Sequence, residues 1–114
     1  MSRGKRGKKT PAGERRATME LPPEKAFYFY RGLDEPLGVA ASSIVDFQRK
    51  LANVETTSVK FHVERGDFQN WLKTLGEIDL AEKINGLKGK GIPPEEMKGR
   101  VTALAAEALR GKKP

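Results

Sequence analysis

The stretch His62-Val63-Glu64-Arg65-Gly66-Asp67-Phe68-Gln69-Asn70-Trp71 decides how this chain folds. It holds the single His and the single Trp, with an Arg-Gly-Asp break at its centre. Beyond the break, Phe68, Trp71, Leu72 and Leu75 fall at i, i+3, i+4 and i+7, which places four apolar side chains on one helix face. Asp67 is a preferred N-cap residue, because its carboxylate accepts the free N–H groups of a first helical turn. Gly66 permits a sharp reversal before it. The spacing predicts a helix from Phe68 to Leu75 ending at Gly76. A second short helix is expected to follow, capped by Asp79, carrying Leu80, Ala81 and Ile84, and closed by Gly86. The match of Arg65-Gly66-Asp67 to an adhesion tripeptide is read as coincidence, since here it spells a helix start.

Upstream of the break, Val59, Phe61 and Val63 alternate with Lys60, His62 and Glu64, as in a strand. Thr56, Thr57 and Ser58 are equally good helix caps, and Val59, His62 and Val63 would share a helix face. Periodicity over so short a run leaves both open. The spacing His62-x4-Asp67-Phe68-x2-Trp71, followed by Leu75-Gly76 and Leu80-Ala81-x-x-Ile84, resembles an uncharacterised domain family common in archaea and also found in bacteria. The aromatic run Phe27-Tyr28-Phe29-Tyr30, Leu37-Gly38-Val39 and Ala41-Ser42-Ser43 extend the likeness over Ala26 to Ile84. The chain departs from that pattern by lacking an insertion before Asp67, and by Glu77 where relatives often have Asp. The resemblance implies a helix over residues 57–64. It supplies no activity and no catalytic residue.

Farther out, Ala26 to Arg31 reads as a strand, with Phe27 and Phe29 on one side and Tyr28 and Tyr30 on the other. Gly32 to Pro36 has turn chemistry, and Leu37 to Ala41 returns to complete a hairpin. Ser43 and Asp46 have capping-box spacing ahead of Ile44, Phe47 and Leu51, the core face of a further helix that Val54 closes. Pro93-Pro94-Glu95-Glu96 opens a last helix, with Pro tolerated and acids favoured in its first turn. Met97, Val101, Leu104, Ala105 and Ala108 form its stripe. The expected fold is a small single α+β domain over residues 24–110: an aromatic hairpin packed on short helices and a long C-terminal helix. A basic, disordered segment with a Pro-rich junction (1–23) precedes it, and a short basic end (111–114) follows.

Charge is the strongest functional clue. The 114 residues carry a net charge of +7. Arg3, Lys5, Arg6, Lys8, Lys9, Arg15 and Arg16 are opposed by Glu14 alone within residues 1–16, while residues 17–114 hold fifteen basic and fourteen acidic residues. Residues 1–19 lack apolar periodicity and are too polar to fold alone. A flexible polycation of this kind predicts a polyanionic partner, and nucleic acid is the commonest match. Lys88 and Lys90, in the loop Lys88-Gly89-Lys90-Gly91, are added candidates. That loop lacks the residues of a phosphate-binding P-loop.

The remaining chemistry is sparse. The chain has no Cys, so disulfides, thiolate metal sites and a Cys nucleophile are excluded. One His without a carboxylate cluster gives no metal site, and no cofactor is expected. His62 and Trp71 read as core residues. Tyr28 and Tyr30, beside Arg31, have the composition of a single-strand stacking surface, although covering the sheet is the favoured reading. No apolar run approaches the ~20 residues of a membrane helix. The sequence therefore predicts a non-enzymatic nucleic-acid-binding protein of the cytoplasm, associated with nucleoid or ribosome, with DNA preferred to RNA. The alternatives are a ribosome- or RNA-associated protein and a module for a protein partner. An enzyme would require His62 open in a deep pocket beside a carboxylate.

Overall fold

A computed structural model describes residues 19–111. The hairpin pairs β1 (Phe27–Gly32) with β2 (Glu35–Ala41) in antiparallel fashion. Five helices follow: α1 (Ile44–Leu51), α2 (Thr56–Arg65), α3 (Asp67–Thr74), α4 (Ile78–Asn85) and α5 (Pro94–Arg110). The α+β architecture is the expected one, and the segment around His62 is a helix. The seven basic residues from Arg3 to Arg16 lie outside the described residues, as do 112–114.

The hairpin turns tightly at Leu33-Asp34. Asp34 takes a left-handed φ of 59°, a conformation Asp tolerates better than most residues. Pairing is regular at Phe27–Ala41 and Tyr28–Ala40, then shifts to Tyr30–Pro36. Across that interval β1 supplies Phe29 alone and β2 supplies Leu37, Gly38 and Val39, so β2 bulges. Gly38, at φ 74°, provides the left-handed residue that such a bulge favours. Phe27 and Phe29 face inward as their alternation predicts, and Tyr28 stands exposed.

The core is aromatic at one end and aliphatic at the other. The Phe68 ring lies 5.0 Å from Phe27 and 5.1 Å from Phe47, and Phe29 stacks on Phe47 at 6.3 Å. Trp71 packs against Phe27 and Phe47 and is half-buried, with its Nε1–H donating to the Lys25 carbonyl at 2.8 Å. Met97, Val101 and Ala105 of α5 complete the core, with α5 against α2 and α1. Leu104 and Ala108 are only partly buried. The junction before the hairpin lies on this body: Leu21 N–H donates to the Ser42 carbonyl at 2.7 Å, and Tyr28 hydroxyl to the Pro23 carbonyl at 2.6 Å.

The helix starts divide. Ser43 caps α1 as expected, its Oγ accepting from Asp46 N–H at 3.0 Å. The Asp46 carboxylate reaches back one residue farther than in the standard box, to Ser42 N–H at 3.0 Å, and binds the Lys50 ammonium at 3.0 Å. Partial burial works to raise the Asp46 carboxyl, but these donors outweigh it and hold it below its ordinary value. The expected caps at Asp67 and Asp79 are not made. Gly66, at φ 82°, ends α2 and directly precedes α3, so Asp67 is already the first residue of α3, with no capping bond from a side chain. Asp79 lies inside α4, where Glu77 occupies the seat before the helix. Gly76 does stop α3: its N–H bonds to Lys73 O at 3.0 Å, and Glu77 N–H bonds to Leu72 O at 2.9 Å. This is the double closure that a left-handed C-terminal Gly makes possible.

Candidate functional site

The His62 ring is the hub where hairpin, α2 and α3 meet. Its Nε2 accepts the Tyr30 backbone N–H at 2.9 Å. That bond fixes the tautomer, so Nδ1 carries the proton and donates it to Asp67 Oδ2 at 2.8 Å. Arg65 Nε donates to the same oxygen at 3.1 Å. Five aromatic rings surround the imidazole, those of Phe27 at 4.8 Å, Phe29, Tyr30, Phe61 and Phe68 at 5.3 Å. Burial pushes the His62 pKa below its ordinary value, against the opposing pull of Asp67, which suits the neutral form the geometry demands. With 3% of its surface exposed and both nitrogens bonded, His62 has no lone pair left for a base or a metal ligand. It positions β1 on the helices, as a core His should.

Above this hub lies an open groove of about 410 Å³. Tyr28 and Tyr30 of β1, Leu33 and Asp34 of the turn, Phe61 and Arg65 of α2, and Asp67 and Asn70 of α3 line it. Its walls are held in place. The Tyr28 hydroxyl is tied to Pro23, and Arg65 is fixed by Asp67 while its guanidinium lies 5.2 Å over the Phe61 ring. Rim residue Leu33 is 71% exposed and Tyr28 48%.

The sequence brought Tyr28 and Tyr30 together correctly but gave them the wrong cation. Arg31 points to another face, where it makes two 2.8 Å bonds to the Glu55 carboxylate. Those bonds hold the exposed Glu55 carboxyl below its usual range. Arg65 takes the place beside the tyrosines. Phe61, Arg65 and Asn70 were missed as site residues because they sit some thirty or more positions downstream. The His62–Tyr30 bond and the packing of His62 and Phe68 on Phe27, which no local pattern announces, bring them to the hairpin. Lys88 and Lys90 are exposed and do not line the groove. The Lys88 ammonium stands near Gly66, 3.9 Å from where a Cβ would project, and the neighbouring Gly89 N–H is held by Glu64 Oε1 at 3.0 Å.

Among the described residues, no group of three or more His, Asp or Glu side chains is placed to hold a metal ion, and no helix is long and apolar enough to cross a membrane. The chain matches no protein-family profile, no curated protein and no solved structure.

Proposed function

We propose that this protein binds nucleic acid without catalysing a reaction, through phosphate contacts made by Arg3, Lys5, Arg6, Lys8, Lys9, Arg15 and Arg16. The observation that carries the reading is the segregation of charge. Seven cations stand against one acid within sixteen residues, ahead of residues 17–114, whose fifteen cations are nearly balanced by fourteen acids. Arg31 is paired with Glu55, Lys50 with Asp46, Arg65 with Asp67 and Arg100 with Glu96. Lys60 and Lys98 each donate to a backbone carbonyl at 2.8 Å, Ile92 and Val54 respectively. A surface so internally matched offers little net field, so long-range attraction to a polyanion falls to the N-terminal segment. Lys88 and Lys90, which make no ion pair among the described residues, are secondary contacts. Association with nucleoid or ribosome follows from the same electrostatics.

The test is fluorescence anisotropy of the full chain with labelled duplex DNA at several salt concentrations. If each of the seven cations displaces one counterion, log K falls with log salt at a slope of about −6. Replacing the seven by Gln should flatten that slope and lower affinity by about two orders of magnitude or more at low salt. Equal binding and equal slope in the two proteins would remove the reading.

A further inference from the structure

From the groove above His62 we infer a second element of recognition: a seat for one unstacked nucleobase, selective for bases that carry an exocyclic amino group. This rests on the nucleic-acid reading and makes the preferred partner single-stranded.

The shape and the chemistry of the groove agree. Base recognition outside a duplex relies on stacking against aromatic or guanidinium planes, with hydrogen bonds to the base edge. The groove presents Tyr28, Tyr30 and the Arg65 guanidinium, which already lies on Phe61. The Tyr28 and Arg65 planes are fixed before any ligand arrives, by Pro23 and by Asp67, which reduces the ordering cost of binding. About 410 Å³ lies within the range of small-ligand sites.

Three polar side chains of the lining set the selectivity. Asn70 makes no side-chain hydrogen bond among the described residues, and neither does Asp34. Asp67 uses Oδ2 for both His62 and Arg65, so Oδ1 remains available. An amide and carboxylate oxygens fit an edge that both donates and accepts. Carboxylates accept from the cytosine amino group, and an amide matches the donor and acceptor of adenine. Uracil and thymine present a carbonyl oxygen at that position, which faces the carboxylates unfavourably. The charge balance also directs which part of a nucleotide enters. Arg65 offsets Asp67, and Asp34 leaves the groove slightly negative, so phosphate stays outside the groove.

Free nucleosides carry no phosphate, so they report on the groove whether or not the basic segment binds. The experiment is a two-dimensional amide NMR titration of the full chain with cytidine and, separately, uridine. Cytidine should shift the amides of Tyr30, Leu33, Phe61 and Asn70, and uridine should bind about tenfold more weakly. Asp34→Asn replaces an acceptor-only carboxylate by an amide that can donate to the uracil carbonyl, so it should remove most of that preference while leaving the duplex DNA salt slope unchanged. Asp34 is exposed and Asn tolerates its left-handed φ, so this variant should fold, and its amide spectrum verifies that. Absence of groove shifts with cytidine, equal shifts with uridine, or a preference untouched by Asp34→Asn would each overturn the seat. Because the phosphate reading depends on the duplex salt slope, it stands or falls separately.

Discussion

The chain enters α1 and α3 by different routes. β2 delivers Ser43 in extended backbone, φ −162° and ψ 171°, which is the conformation an N-cap needs, and Ser43 Oγ takes the Asp46 N–H. α2 instead delivers Gly66 in the left-handed region, and α3 begins at the very next residue. No extended seat exists there for Asp67. Its carboxylate, free of capping, turns back to His62 and Arg65 and ties α3 to α2, while the other nitrogen of His62 holds the hairpin. A short oxygen-bearing side chain before an apolar face is therefore a cap after a strand. After a helix ended by left-handed Gly, it becomes available for tertiary bonds.

The largest test of that contrast is His62→Ala. It removes the acceptor of Tyr30 N–H, takes one of the two donors from the Asp67 carboxylate and leaves a void among Phe27, Phe61 and Phe68. A loss of roughly 3–4 kcal/mol in urea unfolding is expected. A loss under about 1 kcal/mol would show that the ring does not organise the junction.

Asp67→Ala comes next, at roughly 2 kcal/mol, because it strands the buried Nδ1–H of His62. An ordinary cap would give about 1 kcal/mol and would be indifferent to His62. The double variant with His62→Ala separates the two: tertiary anchoring predicts a coupling of at least about 1 kcal/mol, and capping predicts additivity.

Acid should act on the same junction. The folded pKa of His62 lies below its unfolded value of about 6.5, so below that pH the unfolded chain binds a proton that the folded chain does not. The stabilisation is complete above about pH 6.5 and declines as pH falls towards the folded value, by at most about 1.4 kcal/mol per pH unit. A protonated Nε2 would also confront the Tyr30 N–H with a second donor. Stability measured from pH 7 to pH 5 should fall more steeply in the wild type than in His62→Ala; parallel curves would assign the acid sensitivity to other groups. Ser43→Ala, at the α1 entry, should cost about 1 kcal/mol with no dependence on His62.

These differences explain what the sequence disclosed. Elements were legible where a local pattern meets no competitor: the alternation of Phe27 to Tyr30, the Ser43 cap, the Gly76 stop and the Pro-led start of α5. Periodicity left residues 57–64 undecided because Val59 and Val63 satisfy both a strand and a helix face. The buried Gln69, which donates to Val63 O at 3.1 Å and Asn85 Oδ1 at 3.2 Å, looks like a surface residue in sequence. The groove was half legible. Alternation put Tyr28 and Tyr30 on one side of β1, but the partner cation depends on where α2 is pinned. That is decided by contacts distant in sequence, among them the His62–Tyr30 bond across 32 residues and the packing of His62 on Phe27.

The smallest expected effect is at Asp79, and it sharpens the contrast from the other side. Like Asp67 it lies inside its helix, although Glu77 and Ile78 separate it from the left-handed Gly76, at φ 84°. Unlike Asp67 it is exposed and has no buried donor to meet. What remains is the attraction of a carboxylate to the N-terminal end of α4, worth about 0.3–0.5 kcal/mol at the surface and screened by salt. Alanine recovers a comparable amount through its better helix propensity. Asp79→Ala should therefore change stability by no more than about 0.5 kcal/mol in either direction, with the small loss of dipole interaction fading at high salt. A loss near 1 kcal/mol that persists in high salt would mean that Asp79 caps α4 as Ser43 caps α1.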